Sequence, residues 1–389
     1  MDEKRTKHPL SELYVTARMV VLCLLVAFII LFIAIGHGDM RSENFRYLIR
    51  YLDRSSLSSS DGFSTIYYKG ENPSFVMYKG ELTVLSEGVL TLFDNGGNVV
   101  MTADVPKDAE FAANQSERYI TLFSRSEGKV YVYNAFSSVF EASFSGLYSV
   151  FAFDDGLAVI SSGDVYRTEL TLYNRNFRTV YSLKTDSIIT SAALSGSTLF
   201  YAAVPPDISD AFSGSGINCG EAGAFDTGTG ETIFKSSLSG IPLATCLSDG
   251  RLYTATTEGI YIFASDGVLV GYHPFDVTDA FTSDGFAVAV NDGGRTYLVY
   301  AKGNRLYSCG CGKVTGVCFG EHVYILSQSS IYKLTESEMY KEIGGVPTYC
   351  ADSVRTQVRS GGSAVFAVSD GSVLLCGRGS AFPVDLTEE

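Results

Sequence analysis

From Phe63 onward, apolar and polar residues alternate with a period of two in short runs bounded by Gly, Asp, Asn and Ser. Successive side chains of a strand point to opposite faces, so this pattern predicts short antiparallel strands. The runs form similar units near 74–105, 109–145, 147–185, 188–239, 242–275, 277–312, 313–345 and 348–376. Most span about 30–40 residues, the length of a four-stranded propeller blade. In "VMYKGELTV", "AFDDGLAVI", "CLSDGRLYT" and "FTSDGFAVA", Gly precedes an alternating run. Four positions before those glycines stand Val76, Ala152, Cys246 and Phe281, and Ala112, Ala193 and Cys318 are similarly placed in units lacking the Gly. Mostly small residues suit strands that converge on an axis.

The last unit, "GGSAVFAVSDGSVLLCG", lacks an outer strand, and the isolated "FSTIYYKG" at Phe63–Gly70 is free to supply one. Joining both chain ends in one sheet removes an open edge. The expected fold is therefore all-β: an eight-bladed β-propeller over 63–380, seven-bladed as the alternative, closed by an N-terminal strand. Residues 381–389 read as a tail. The 39 Gly of the whole chain and its Phe- and Tyr-rich, Trp-free aromatic content fit short strands and tight turns.

Ser-Asp-Gly recurs at Ser248–Gly250, Ser265–Gly267, Ser283–Gly285 and Ser369–Gly371. The first and third read as turns between first and second strands, the second as a third-to-fourth turn, and the last as a second-to-third turn. That distribution puts them on both faces and makes them turn formers, since a two-residue hairpin needs φ > 0. Asp276, Asp279 and Asp284 in "FDVTDAFTSDG" come nearest to a calcium loop, but their spacing is wrong.

The N-terminal region differs. Met19–Gly36, "MVVLCLLVAFIILFIAIG", holds no charge and has the length of a transmembrane helix. A cleavable signal peptide competes, because Ala34–Gly36 offers small residues, but signal h-regions run only about 7–15 residues. The expectation is a cytoplasmic tail (1–18), a single-pass anchor in the lipid bilayer (19–36), then an amphipathic helix and linker (37–62). Phe45, Leu48, Ile49 and Leu52 make the helical stripe. Lys and Arg balance across the span, so the exported orientation rests on the habit of signal-anchor proteins, with the cell membrane as the expected location.

Catalytic motifs are missing. There is no G-x-S-x-G elbow, no phosphate loop and no G-x-G-x-x-G. His273 and His322 have no neighbours at metal-ligand spacing, so neither a metal nor a cofactor is expected. Residues 55–389 carry 21 Lys/Arg against 37 Asp/Glu, which argues against nucleic acid. Cys309 and Cys311 in "SCGCG" are candidates for a disulfide or redox role; Cys246 and Cys318 read as packing. The long insertion Val204–Gly223 is the candidate recognition loop, with Asp207, Asp210, Phe212, Asn218 and Glu221. Tyr253, Tyr261 and Tyr272 read as packing between blades.

With the anchor, "ENFRYLIRYLD", "STIYYKG" and "SFVMYKGELTVLSEGVLTLFDNGGNVV" in that order, the chain resembles a family of uncharacterised Gram-positive bacterial membrane proteins, a domain of unknown function with a quinoprotein-like propeller. The resemblance implies an anchored, exported propeller and transfers no active-site residue. Quinoprotein dehydrogenases use a Trp platform and often vicinal cysteines, and this chain has neither. The expected function is a non-catalytic binding or scaffold module for an envelope protein, peptide or glycan. The alternative is a cofactor- or metal-dependent enzyme with acidic residues scattered over the blade tops.

Overall fold

In the computed structural model, the described residues are 17–26, 63–206, 219–283, 285–328, 330–358, 362–369 and 371–386. The chain divides into Met1–Asp61 and Gly62–Glu389. In the first part the described residues form one helix over 17–26. At about 1.5 Å per residue it is about 15 Å long, half of a hydrocarbon core of about 30 Å. Among the described residues no helix is long and apolar enough to cross a membrane. This corrects the single-pass, cell-membrane reading of Met19–Gly36: an apolar composition does not make a span without a continuous helix of sufficient length. Residues 27–36, the amphipathic stripe and the linker lie outside the described residues.

In the second part the described residues form strands joined by turns and loops. One meander comprises β2 (Ser74–Tyr78), β3 (Glu81–Ser86), β4 (Val89–Phe93) and β5 (Val99–Asp104). The next comprises β6 (Glu110–Phe111), β7 (Ile120–Ser124), β8 (Lys129–Tyr133) and β9 (Ser138–Ser143). Then follow β10 (Leu147–Phe153), β11 (Gly156–Ser161), β12 (Thr168–Asn174) and β13 (Thr179–Thr185). A fourth holds β14 (Ile188–Ser195), β15 (Thr198–Val204), β16 (Gly220–Asp226) and β17 (Thr232–Leu238). A fifth holds β18 (Pro242–Ser248), β19 (Arg251–Thr256), β20 (Gly259–Ala264) and β21 (Leu269–Pro274). An eight-stranded sheet joins β22 (Asp276–Phe281), β23 (Ala287–Asp292), β24 (Arg295–Lys302) and β25 (Arg305–Gly310) to β26 (Gly316–Phe319), β27 (Val323–Ser327), β28 (Ser330–Ile343) and β29 (Val346–Gln357). The final sheet runs β1 (Ile66–Tyr67), β32 (Ser380–Asp385), β31 (Ser372–Gly377), β30 (Gly362–Ser369).

Burial follows strand position. The second strands β3, β7 and β27 are buried throughout, because sheets cover both their faces. The outer strands β5, β9 and β21 alternate with solvent. First strands pack on the first strands of the next sheet, β10 on β14 and β14 on β18. Hydrophobic clusters bridge neighbouring sheets, and Phe63, Ile66 and Leu82 pack with Leu374, Cys376 and Ala381 to join the last sheet to the first. Four inner-strand hydroxyls repeat one bond: Thr190, Thr278, Thr315 and Ser363 donate to the carbonyls of Ala202, Ala289, Leu326 and Cys376.

Three boundaries differ from the sequence reading. β28 and β29 form one long hairpin, so its Gly344–Gly345 turn is not a border between units. β32 occupies part of the segment read as a tail. Ser369–Gly371 joins β30 to β31, a first-to-second turn instead of a second-to-third one.

The strand β6 is short because the chain after it turns inward. Gln115 replaces the lost strand: its Nε2 donates to Thr121 O at 3.1 Å and its Oε1 accepts from Thr121 N at 3.2 Å. Beside it, Ala113 makes a parallel bridge to Phe151 of the next sheet. Asn114, with φ 51–56° shared by few other residues here (its own is 53°), donates to Ala192 O at 3.4 Å.

Candidate functional site

In an antiparallel meander the first-to-second and third-to-fourth turns share one end, and the second-to-third turn and the link to the next sheet share the other. All four Ser-Asp-Gly triplets therefore lie at the first end, which corrects their assignment to both faces. Their chemistry is local. Asp249 (φ 49°) and Gly250 (φ 72°) make a two-residue hairpin, and Asp249 Oδ2 accepts from Gly303 N at 2.9 Å. Asp266 Oδ1 accepts from Val268 N at 3.0 Å. Asp284 and Asp370 lie outside the described residues. Among the described residues no three His, Cys, Asp or Glu are grouped to hold a metal ion.

The same end carries a shallow hollow with room of only about 10 Å³, one water at most, walled by Tyr119, Phe153, Asp154, Arg175 and Phe177. Small-molecule sites usually enclose about 300–1,000 Å³. Phe177 has φ 56°, where the equivalent turn positions hold Gly97 and Gly267. Its ring stacks on Phe140 at 4.8 Å and meets Tyr119 at 5.2 Å.

The opposite end is apolar over three successive sheets. Tyr148, Val165, Tyr166, Ile188 and Ile241 are 43–83% exposed there. Each lies in a connection or at the start of a first strand, where polar residues are the norm. Ile188 pairs with Val204, the last strand residue before the insertion. Gly220, where the chain returns, is so close to Pro242 that a Cβ would lie 2.8 Å from its ring. Ile188 and Ile241 thus flank the two roots of the insertion. At the root of the Gly163–Tyr166 loop, Ser162 N donates to Gly146 O at 2.8 Å, two residues before Tyr148.

Of the predicted recognition residues, Asp207, Asp210, Phe212 and Asn218 lie outside the described residues. Glu221 belongs to β16, is buried, and pairs with Lys235 at 2.8 Å. Burial first and Glu221 second push the Tyr201 phenol well above its ordinary range. Sequence reading missed the five exposed apolar residues, although the signal of four was present: "DVY", "SII" and "GIP" set apolar side chains at breaks in the alternation.

Cys309 and Cys311 are buried between the β22–β25 and β26–β29 halves of the eight-stranded sheet with Leu298, Tyr300 and Val317. Burial raises both thiols, Cys311 to about 12. Such thiols are protonated and poorly reactive. Cys246 and Cys318 lie on inner strands and bond to the next sheet: Cys246 Sγ donates to Gly285 O at 3.4 Å, and Ala367 N donates to Cys318 Sγ at 3.0 Å. Tyr253 stacks on Phe286 at 5.1 Å, and Tyr261 meets Tyr272 at 4.5 Å, as packing residues.

No family model matches the chain, and no curated protein matches it. Solved structures do. BamB from Moraxella catarrhalis has a TM-score of 0.53 at 13% identity, covering 84% of this chain and 98% of BamB. Sqt1 from Saccharomyces cerevisiae has a TM-score of 0.56 at 10% identity, covering 84% of this chain and 100% of Sqt1. The computationally designed Ika8 protein has a TM-score of 0.54 at 13% identity, covering 82% of this chain and 98% of Ika8. BamB and Sqt1 are β-propellers, and at these identities the likeness establishes architecture alone. The chain is an all-β protein with the β-propeller fold.

Proposed function

We propose that the chain is an eight-bladed propeller acting as a non-catalytic binding or scaffold module for a protein partner. Kinship with the uncharacterised quinoprotein-like propeller family is part of this reading, supported by the shared architecture. The exposed apolar cluster around the insertion roots carries the proposal: Tyr148, Val165, Tyr166, Ile188 and Ile241 on one end of three sheets. Concentrated apolar exposure on an otherwise acidic surface marks an interaction face. In this reading the insertion rooted at Val204 and Gly220 takes part in recognition, with Asp207, Asp210 and Asn218 as its polar contact residues and Phe212 as an apolar one.

Crosslinking of the full chain in its native cells, read by mass spectrometry, tests this. A reproducible protein partner is expected, lost when Val165, Ile188 and Ile241 are all changed to Asp and retained in Phe136→Asp at the opposite end. Retention by the triple variant removes the assignment of this face.

A further inference from the structure

The outer strands of the first five sheets guard their free edges in one repeated way, which β25 does not share. β5, β9, β13, β17 and β21 each break register near their start, at Leu92/Phe93, Val132/Tyr133, Leu172/Tyr173, Ala224/Phe225 and Ile262/Phe263. Such bulges spoil an edge for pairing with another strand. β25 has none: it pairs with β24 without a break from Lys302↔Arg305 to Tyr297↔Gly310. It is also the outer strand that accepts a strand from the following unit, pairing in parallel with β29 at Tyr307↔Tyr349 and Ser308↔Cys350.

The covering strand belongs to the extended part of the β28–β29 hairpin, a strap. Register breaks between Glu336 and Tyr340, so residues 337–339 bow out and separate the strap from the body of its sheet. At its tip Ile343 and Val346 are buried among Tyr253, Phe286 and Leu306 of the two preceding units. Thr348 shares a 2.7 Å bond with Ser308. A half-buried ion pair, Lys302–Glu336 at 2.7 Å, and an exposed one, Arg305–Glu338 at 2.9 Å, brace the hinge side, the exposed pair only weakly.

We infer that β25 is a strand-accepting edge, closed within one chain by the strap, and that its other occupant is the strap of a second copy. The complementarity is already built: a second copy presents the same Ile343, Val346, Thr348 and Tyr349, so exchange conserves these contacts and changes the path of the two connecting limbs, residues 337–339 on one and the chain after Cys350 on the other. That is the condition for domain swapping. A short tether keeps its own strap at an effective concentration of about 1 mM, so exchange requires concentrated protein or a hinge that cannot fold back. This inference does not depend on the proposed partner face, which lies at the other end of the sheets.

The full chain carrying Ser308→Cys tests it, because that position faces Cys350 across the parallel pair. With oxidised glutathione as oxidant, two protein thiols become one disulfide and the oxidant is reduced to two glutathione thiols. Dilute samples are expected to bridge within single chains. Samples refolded when concentrated are expected to give a reducible dimer, absent when Cys350→Ser is added. Bridging confined to single chains at every concentration overturns the inference. As a second variant, deletion of residues 337–339 prevents the strap from folding back and is expected to convert the chain to a dimer by sedimentation. A monomeric deletion variant overturns it equally.

Discussion

Asn114 Oδ1 accepts a hydrogen bond from Thr282 Oγ1 at 3.2 Å, although 168 positions separate the two residues in the chain. Asn114 leaves β6, bonds to the β14 strand through Ala192 and reaches the residue after β22, so one side chain ties three sheets together near their inner strands.

Replacing Asn114 by Ala removes both bonds and leaves a residue ill suited to φ 53°. The expected loss is about 1–3 kcal/mol, since each hydrogen bond contributes roughly 1 kcal/mol and Asn tolerates the left-handed region better than Ala. Urea unfolding measures it. Asn114→Gly, which restores the backbone freedom alone, is expected to lose no more than Asn114→Ala.

Phe177 tests whether backbone strain is outweighed by ring packing. Phe177→Gly relieves about 1–2 kcal/mol of left-handed strain but removes the contacts with Phe140 and Tyr119. Burial and stacking of one such ring are together worth roughly 2–4 kcal/mol, so a net loss of about 1–2 kcal/mol is expected. A gain in stability means that the strain dominates.

The tip of the strap is a core element. Ile343→Ala is expected to cost about 2–5 kcal/mol, the range for deleting a fully buried aliphatic side chain. Met339→Ala on the exposed bow is expected to change stability by less than about 0.5 kcal/mol. Equal melting shifts in the two variants refute the anchoring role of Ile343.

The buried thiols are expected to be silent. At pH 9 an ordinary cysteine, with a pKa of about 8.5, is mostly thiolate. Cys311, pushed up to about 12, stays protonated in the folded protein, and burial holds Cys309 and Cys376 in the same direction. A disulfide-exchange reagent is expected to modify these three only after denaturant is added. Native-state labelling of Cys309 or Cys311, mapped by mass spectrometry, contradicts this.

Acid sensitivity has a named contributor. Hydrogen bonds from Ser126 and Ser124 hold the Asp108 carboxyl below its ordinary range. A carboxylate with a depressed folded-state pKa stabilises the fold above its unfolded value of about 3.9, and that contribution fades as pH falls through the folded value. Asp108→Asn is expected to flatten the decline in melting temperature below pH 4, while an unchanged acid limb assigns the effect to other groups.

Strands, and most unit borders, were legible because a period of two leaves the same signature wherever a strand is half-covered. The four positions of the Ser-Asp-Gly triplets were found, but the end on which Ser369–Gly371 falls depends on which strand is counted first. Gly344–Gly345 and Pro347 look like a border between units, and alternation alone cannot distinguish a border from the tip of a long hairpin. Gln115 posing as a strand has no periodic signal at all. Glu221 was read as part of a loop because "CGEAG" is rich in Gly, whereas Gly223 is required by the Tyr201 ring, which lies 2.5 Å from where its Cβ would be. The hydroxyl series Thr190, Thr278, Thr315 and Ser363 was available as a marker of inner strands and identifies the first strand of a unit more sharply than the glycines do.

The pairing of Ile66 with Ala381 gives the order of synthesis a structural meaning. Ile66 emerges from the ribosome more than three hundred residues before its partner, so throughout translation the first sheet has an uncovered flank where Leu374 and Cys376 will later pack. Until Ser380–Asp385 is made, the nascent chain is an open arc with two adhesive ends. A stop codon or proteolytic nick that removes only these last residues therefore leaves nearly all strands intact yet holds the chain in that nascent condition, exposed to chaperones and to other unfinished copies.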